Sequence, residues 1–203
     1  MIRTASTRLS RLVAQVYEGE IDPQVLADHK GSAASKGTLC RQNFSKESED
    51  ATNAHLVMEL YASMSYLAMH AYFDRADVGL PGFAKWTHEN SDEEKHHAEK
   101  LIEYLNKRGG QYIPAAIPAP ARNEWFSGLD ALEYARTMEV DLNNSLLSLH
   151  STAEKDPAFQ NFLESEYLSK QVDAINNISE LIRKLIRAGP GLGEYDIDRE
   201  LQA

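Results

Sequence analysis

The stretch Asp92-Glu93-Glu94-Lys95-His96-His97-Ala98-Glu99-Lys100-Leu101 decides how the chain reads. It holds no Gly or Pro, and its apolar residues recur at helical period. At 100° per residue, Phe83, Ala98, Leu101 and Leu105 fall within about 60° of one another and form one stripe. Glu94 lies at the centre of that stripe and His97 at its edge. A carboxylate and an imidazole therefore point where a hydrophobic core belongs. The spacing Glu94-x-x-His97 sets two metal-ligand types on one helical face, one turn apart.

Outward from this helix the same pattern repeats. Pro and Gly are nearly absent from 46–79, 83–108, 129–155 and 158–188, and they cluster between those segments. Gly79-Leu80-Pro81-Gly82 separates the first pair, and Asp156-Pro157 separates the last pair with Pro placed to start a helix. Such short joints make antiparallel neighbours. Residues 109–127, with Pro114, Pro118 and Pro120, are long enough to run the length of a bundle. Four helices of ~40–50 Å, joined in this way, predict an all-α four-helix bundle with one long crossover. A short fifth helix is expected over 194–202, after Gly189-Pro190-Gly191.

Each long helix carries a polar residue on its apolar stripe. Glu59 lies among Leu56, Ala62, Tyr66 and Phe73; Glu139 among Leu132, Ala135, Leu142 and Leu146. Gln171 lies among Tyr167, Ala174, Ile175, Ile178 and Ile182. A buried unpaired carboxylate costs several kcal/mol, so buried charges are paired or bound to metal. No Lys or Arg shares these stripes; the nearest, Arg136, is about 60° from Glu139. Three Glu, one His and one Gln on four inward faces match a carboxylate di-iron bundle. A complete one has a second Glu-x-x-His, whereas the fourth helix here reads Leu168-Ser169-Lys170-Gln171. One metal would have Glu59, Glu94 and His97; the other would have Glu94, Glu139 and a weak amide. A weakly held second ion suits a metal that is substrate and must leave.

Composition narrows the function classes. With 31 Asp+Glu against 21 Lys+Arg the chain carries −10, so it lacks the basic footprint that nucleic acid or an anionic membrane requires. The single Cys40 excludes an intrachain disulfide framework and any Cys-based zinc or iron–sulfur site. No run approaches the ~20 apolar residues of a membrane span. There is no Gly-rich phosphate loop, no G-x-S-x-G and no strand alternation, so phosphoryl transfer, dinucleotide hydride transfer and serine hydrolysis find no support.

The chain resembles ferritin of the iron-oxidising heavy-chain type. The stretches that carry the resemblance are Met58-Glu59-Leu60-Tyr61-Ala62-Ser63, Tyr72-Phe73-Asp74-Arg75, Phe83-Ala84-Lys85 and the stretch quoted above. Asn106-Lys107-Arg108-Gly109-Gly110 and Tyr167-Leu168 through Gln171-Val172 add to them, and the similarity covers roughly 42–200. The resemblance implies a ferroxidase centre of Glu59, Glu94, His97, Glu139 and Gln171, with Tyr66 beside it as electron donor or simple hydrogen-bond donor. It implies pairwise oxidation of two Fe(II) by O2 or peroxide, and a shell of twenty-four subunits storing ferric oxide, homomeric or mixed with another chain. The alternative is a shell subunit that nucleates mineral without oxidising iron. Such light-chain types lack ligands at several of the six positions, and this chain keeps all six.

Further implications concern the surface. Glu93, His96 and Glu99 match the region that seeds mineral, although His96 stands where the family more often has a carboxylate. Glu164 matches a residue of the threefold channel that admits iron, whereas Asn161 replaces an expected Asp; Glu166 is placed to compensate if it faces the pore. The joint Lys155-Asp156-Pro157 is about two residues shorter than usual, which bears on the channel mouth.

The chain divides into an extension, 1–41, and a bundle domain, 42–203. Residues 1–17 hold Arg3, Arg8 and Arg11, no acid, and Leu9, Leu12, Val13 and Val16 at helical spacing. They read as a tail or as a mitochondrial transit peptide, so the expected location is cytoplasmic, with mitochondrial as the alternative.

Overall fold

In the computed structural model, residues 38–203 are described. The transit-peptide reading of 1–17 lies outside them. Helix α1 spans Lys46–Phe73, α2 Pro81–Lys107 and α3 Gly128–Thr152. The fourth rod consists of α4, Pro157–Leu163, a π-helical turn over Glu164–Leu168, and α5, Ser169–Ala188; α6 spans Leu192–Gln202. This is the all-α bundle with one long crossover and a short C-terminal helix, and the described residues contain no strand.

Cross-helix hydrogen bonds fix the direction of each rod. Ser63 Oγ donates to the Ser91 carbonyl at 2.7 Å and His70 Nδ1 lies 2.9 Å from the Ala84 carbonyl, so α1 and α2 are antiparallel. Ser48 Oγ donates to the Thr152 carbonyl at one end of α3, and Tyr66 reaches Glu139 further along, so α3 also opposes α1. The crossover returns along α1. Asn53 bonds the Gln111 carbonyl and the Ile113 amide, and Tyr61 Oη accepts from the Ala121 amide. These buried side chains of α1 satisfy backbone groups that have no ladder of their own.

The helix boundaries differ from the expected ones for local reasons. Helix α1 stops at Phe73, not at 79: the chain turns through Arg75–Val78, where Arg75 forks onto Asp77, and leaves by Gly79 at φ 67°. Helix α2 begins at Pro81, whose missing N–H costs nothing in the first turn. Leu80 offers that helix no side-chain cap. Asp198 of α6 supplies one instead, with Oδ1 accepting from the Gly82 and Phe83 amides at 2.8 and 3.0 Å. Glu194 does the same for the Gly128 amide of α3, at 2.6 Å. The last helix is thus a double clamp across two helix starts. At the far end Asp156 caps its own rod through the Phe159 amide and pairs with Arg108 at 2.6 Å.

The π turn was not expected. Buried Phe159, Leu163, Tyr167 and Gln171 recur every four residues, a spacing that drifts about 40° per step on an ordinary helix. One wider turn absorbs the drift and keeps both Tyr167 and Gln171 inward.

The core is split. One apolar cluster holds Tyr66, Phe73, Phe83, Trp125 and Leu132; the other holds Leu56, Leu101, Leu105, Leu149 and Phe159. On three rods the polar residue falls at the boundary between the two clusters, as Glu59 does between Leu56 and Ala62, whereas Glu139 lies within the first cluster, between Met138 and Leu142.

Candidate metal centre

Glu59, Glu94, His97, Glu139 and Gln171 are all buried, as is Tyr66. They come from all four rods, with Glu59 and Tyr66 two turns apart on α1 and Glu94 and His97 one turn apart on α2, because the apolar residues around each fix that face inward. The six divide into two groups.

The first group is Glu59, Glu94 and His97, whose ligand atoms all lie within 4.8 Å of one another. His97 Nδ1 is 3.3 Å from Glu94 Oε2 and 3.9 Å from Glu59 Oε2. Two polar atoms of this group have no hydrogen-bond partner: Glu59 Oε2 and His97 Nε2. Glu93 Oε1 stands 3.7 Å from that nitrogen, too far for a hydrogen bond. Buried orphan acceptors and donors are rare in folded proteins, and a cluster of them is what a ligand completes.

The second group is Glu139, Tyr66 and Gln171. The Tyr66 hydroxyl donates to Glu139 Oε1 at 2.5 Å, and the Gln171 amide donates to Oε2 at 2.5 Å and to the Glu139 carbonyl at 2.9 Å. Gln171 here is a donor to a carboxylate. Tyr167, next in the rod, donates to the His97 carbonyl at 2.8 Å and braces the start of the site.

Among the described residues no Lys or Arg pairs with the three inward carboxylates, and Arg136 turns away to Ser179. Uncompensated burial favours the neutral acid. Burial, with Glu139 adding its charge, pushes Glu59 up to about 7. Burial, then the charges of Glu59 and Glu139, raise Glu94 well above the usual carboxylate range. Glu139 rises through burial, against the pull of its two donors. Burial, then the charges of Glu139 and Glu94, raise Tyr66, which stays a phenol. A bound cation would supply the positive charge that these carboxylates lack.

His55 is a site residue that the reading of apolar stripes passed over. It is fully buried, with Nε2 2.7 Å from Glu59 Oε1 and Nδ1 2.8 Å from Ser145 Oγ. Burial lowers its imidazole to about 3, so it is neutral. The signal was present in the sequence as a histidine four residues before Glu59, hence on its face.

The surface residues behave differently. Glu93, His96 and Glu99 are exposed on α2, and the structure does not draw them into one group; Glu99 lies 3.8 Å from Lys95. Glu164 is exposed and lies 2.9 Å from His150, and Asn161 is exposed one turn before it. Glu166 is held by Lys100 at 2.7 Å, so its charge is already compensated.

Comparison with known proteins agrees with this arrangement. The Ferritin-like domain family matches residues 49–188. The chain is 50% identical to the soma ferritin of Lymnaea stagnalis, over 79% of this chain and 93% of that protein. It is 47% identical to a ferritin heavy chain of Echinococcus granulosus, over 80% and 95%. It is 44% identical to the ferritin middle subunit of Aquarana catesbeiana, over 78% and 93%.

Proposed function

Because this chain belongs to the ferritin family, we propose that it stores iron and oxidises Fe(II) to Fe(III) at the buried carboxylate centre. The observation that supports the reading best is the buried group Glu59, Glu94 and His97, in which Glu59 Oε2 and His97 Nε2 lack hydrogen-bond partners.

Iron is the substrate. Glu59, Glu94 and His97 would take one Fe(II), and Glu94 and Glu139 the second, with Glu94 between them. Hard carboxylate oxygens favour Fe(III) over Fe(II) and so favour oxidation. Two Fe(II) give one electron each to O2, which takes up two protons and leaves as hydrogen peroxide; peroxide as oxidant accepts the same two electrons. The chain's own residues orient the ligands. Tyr66 and Gln171 hold Glu139 from opposite sides, and Tyr167 braces His97. Metal binding would compete with the protonation that burial favours at Glu59 and Glu94.

The product would be stored as ferric oxide inside a shell of twenty-four copies, alone or mixed with a second ferritin chain. Glu93, His96 and Glu99 are proposed to seed mineral on the inner surface, and Glu164 to line a threefold channel. Residues 42–203 are taken as the bundle domain and 1–41 as an extension. No nucleic acid or membrane partner is proposed, and no helix among the described residues is long and apolar enough to cross a membrane. The proposed location is the cytoplasm, with the mitochondrion as alternative.

Aerobic Fe(II) added to metal-free protein, followed by ferric absorbance, tests the reading. The wild-type protein should oxidise iron far faster than Glu94→Ala/His97→Ala. Equal rates would leave only a shell that nucleates mineral.

A further inference from the structure

We propose that His55 is a positioning residue, and that a relay from Ser145 through His55 makes Glu59 a one-oxygen metal ligand. The proposal rests on the reading of Glu59, Glu94 and His97 as a metal centre. His55 is completely buried, and each of its ring nitrogens has one partner. With a metal bound, Glu59 is an ionised carboxylate that only accepts, so Nε2 then carries the proton and donates to Glu59 Oε1 across 2.7 Å. Nδ1 is then the acceptor, and the Ser145 hydroxyl donates to it across 2.8 Å. The Ser145 hydroxyl comes from α3, so the relay ties that helix to α1 and to the site.

The consequence lies in the two oxygens of Glu59. Oε1 is occupied by His55, while Oε2 has no partner and faces His97 Nδ1 at 3.9 Å. A carboxylate anchored at one oxygen has a fixed orientation, which favours binding through the free oxygen alone. Partners behind a ligand commonly change metal affinity about 10- to 100-fold. Neither the six positions of the family resemblance nor the apolar stripes include His55 or Ser145.

Co(II), whose visible absorption reports its coordination number, is the probe. Metal-free wild-type protein is titrated with Co(II), in parallel with His55→Leu, His55→Gln and Ser145→Ala. His55→Leu removes the donor and should weaken the first Co(II) about 10- to 100-fold. It should also shift the absorption as Glu59 gains a second free oxygen. His55→Gln keeps an N–H donor and should recover most of the affinity and the wild-type spectrum. Ser145→Ala, a small change remote from the metal, should move both readouts in the direction of His55→Leu. Wild-type affinity and spectrum in His55→Leu would overturn the proposal, as would His55→Gln losing as much as His55→Leu. If Co(II) uptake is lost in Glu94→Ala/His97→Ala but indifferent to His55→Leu, the metal centre stands and the relay falls. A wild-type protein that takes up no Co(II) would overturn both.

Discussion

The phenol of Tyr66 donates to Glu139 Oε1 across 2.5 Å, joining α1 to α3 through the middle of the bundle. Both groups are buried, so the bond is unscreened and sets where Glu139 points. Tyr66→Phe leaves that oxygen without its donor. A lost hydrogen bond to a charged group costs about 1.5–3 kcal/mol. We expect that loss in urea unfolding of the metal-free protein, together with slower iron oxidation. An unchanged midpoint would show that Glu139 is held by Gln171 alone.

The pH dependence of the metal-free protein follows from the raised carboxylates. Burial lifts Glu59 from 4.5 to about 7, so the folded state holds its proton more tightly than the unfolded chain does. The contribution is fully present below the unfolded value and is lost as pH rises through about 7. Glu94 and Glu139 shift in the same direction. We predict that metal-free protein loses stability between pH 5 and pH 8, by about 3 kcal/mol from Glu59 alone. Glu59→Gln should flatten the curve. Parallel curves for the two proteins would contradict the assignment.

The clamp formed by α6 yields a stability prediction far from the metal. Asp198 caps α2 through two amides and is itself buried, so Asp198→Ala strips the helix start of its acceptor. The loss should be about 1–2 kcal/mol in thermal or urea unfolding, and Asp198→Asn should recover part of it. A neutral Asp198→Ala would mean that water replaces the cap.

Iron uptake should respond to the charge missing at Asn161. Glu166 is engaged by Lys100 and does not replace it, and Glu164 sits against His150. In the proposed channel, Asn161→Asp should speed uptake at low salt by adding negative charge, an effect that screening removes at high salt. Equal stopped-flow rates for the two proteins would sink this idea.

The long-range organisation was legible because helical period and punctuation are local. Glu59, Glu94, Glu139 and Gln171 could be placed inward from their apolar neighbours alone, and all four are buried. Helix ends were less legible where the cap comes from elsewhere: nothing near Leu80 announces Asp198 as the cap of α2. The π turn is not legible because a uniform helical period does not distinguish residues spaced by four from an ordinary stripe. His55 escaped because a histidine beside a stripe of aliphatic residues reads as one more helical position until Ser145, 90 residues away in sequence, is seen against it. Glu166 read as a spare pore charge for the same reason, since Lys100 lies on another rod.

The central claim is that one polar seam binds and oxidises iron in pairs. The most direct measurement is O2 consumption as metal-free protein is titrated with Fe(II), in wild type and in Glu94→Ala/His97→Ala. The account predicts a fast phase that saturates at two Fe(II) per chain, consumes one O2 for each pair and disappears in the double variant. A fast phase that survives the double variant, or one that saturates without a two-to-one ratio of Fe(II) to O2, would contradict it.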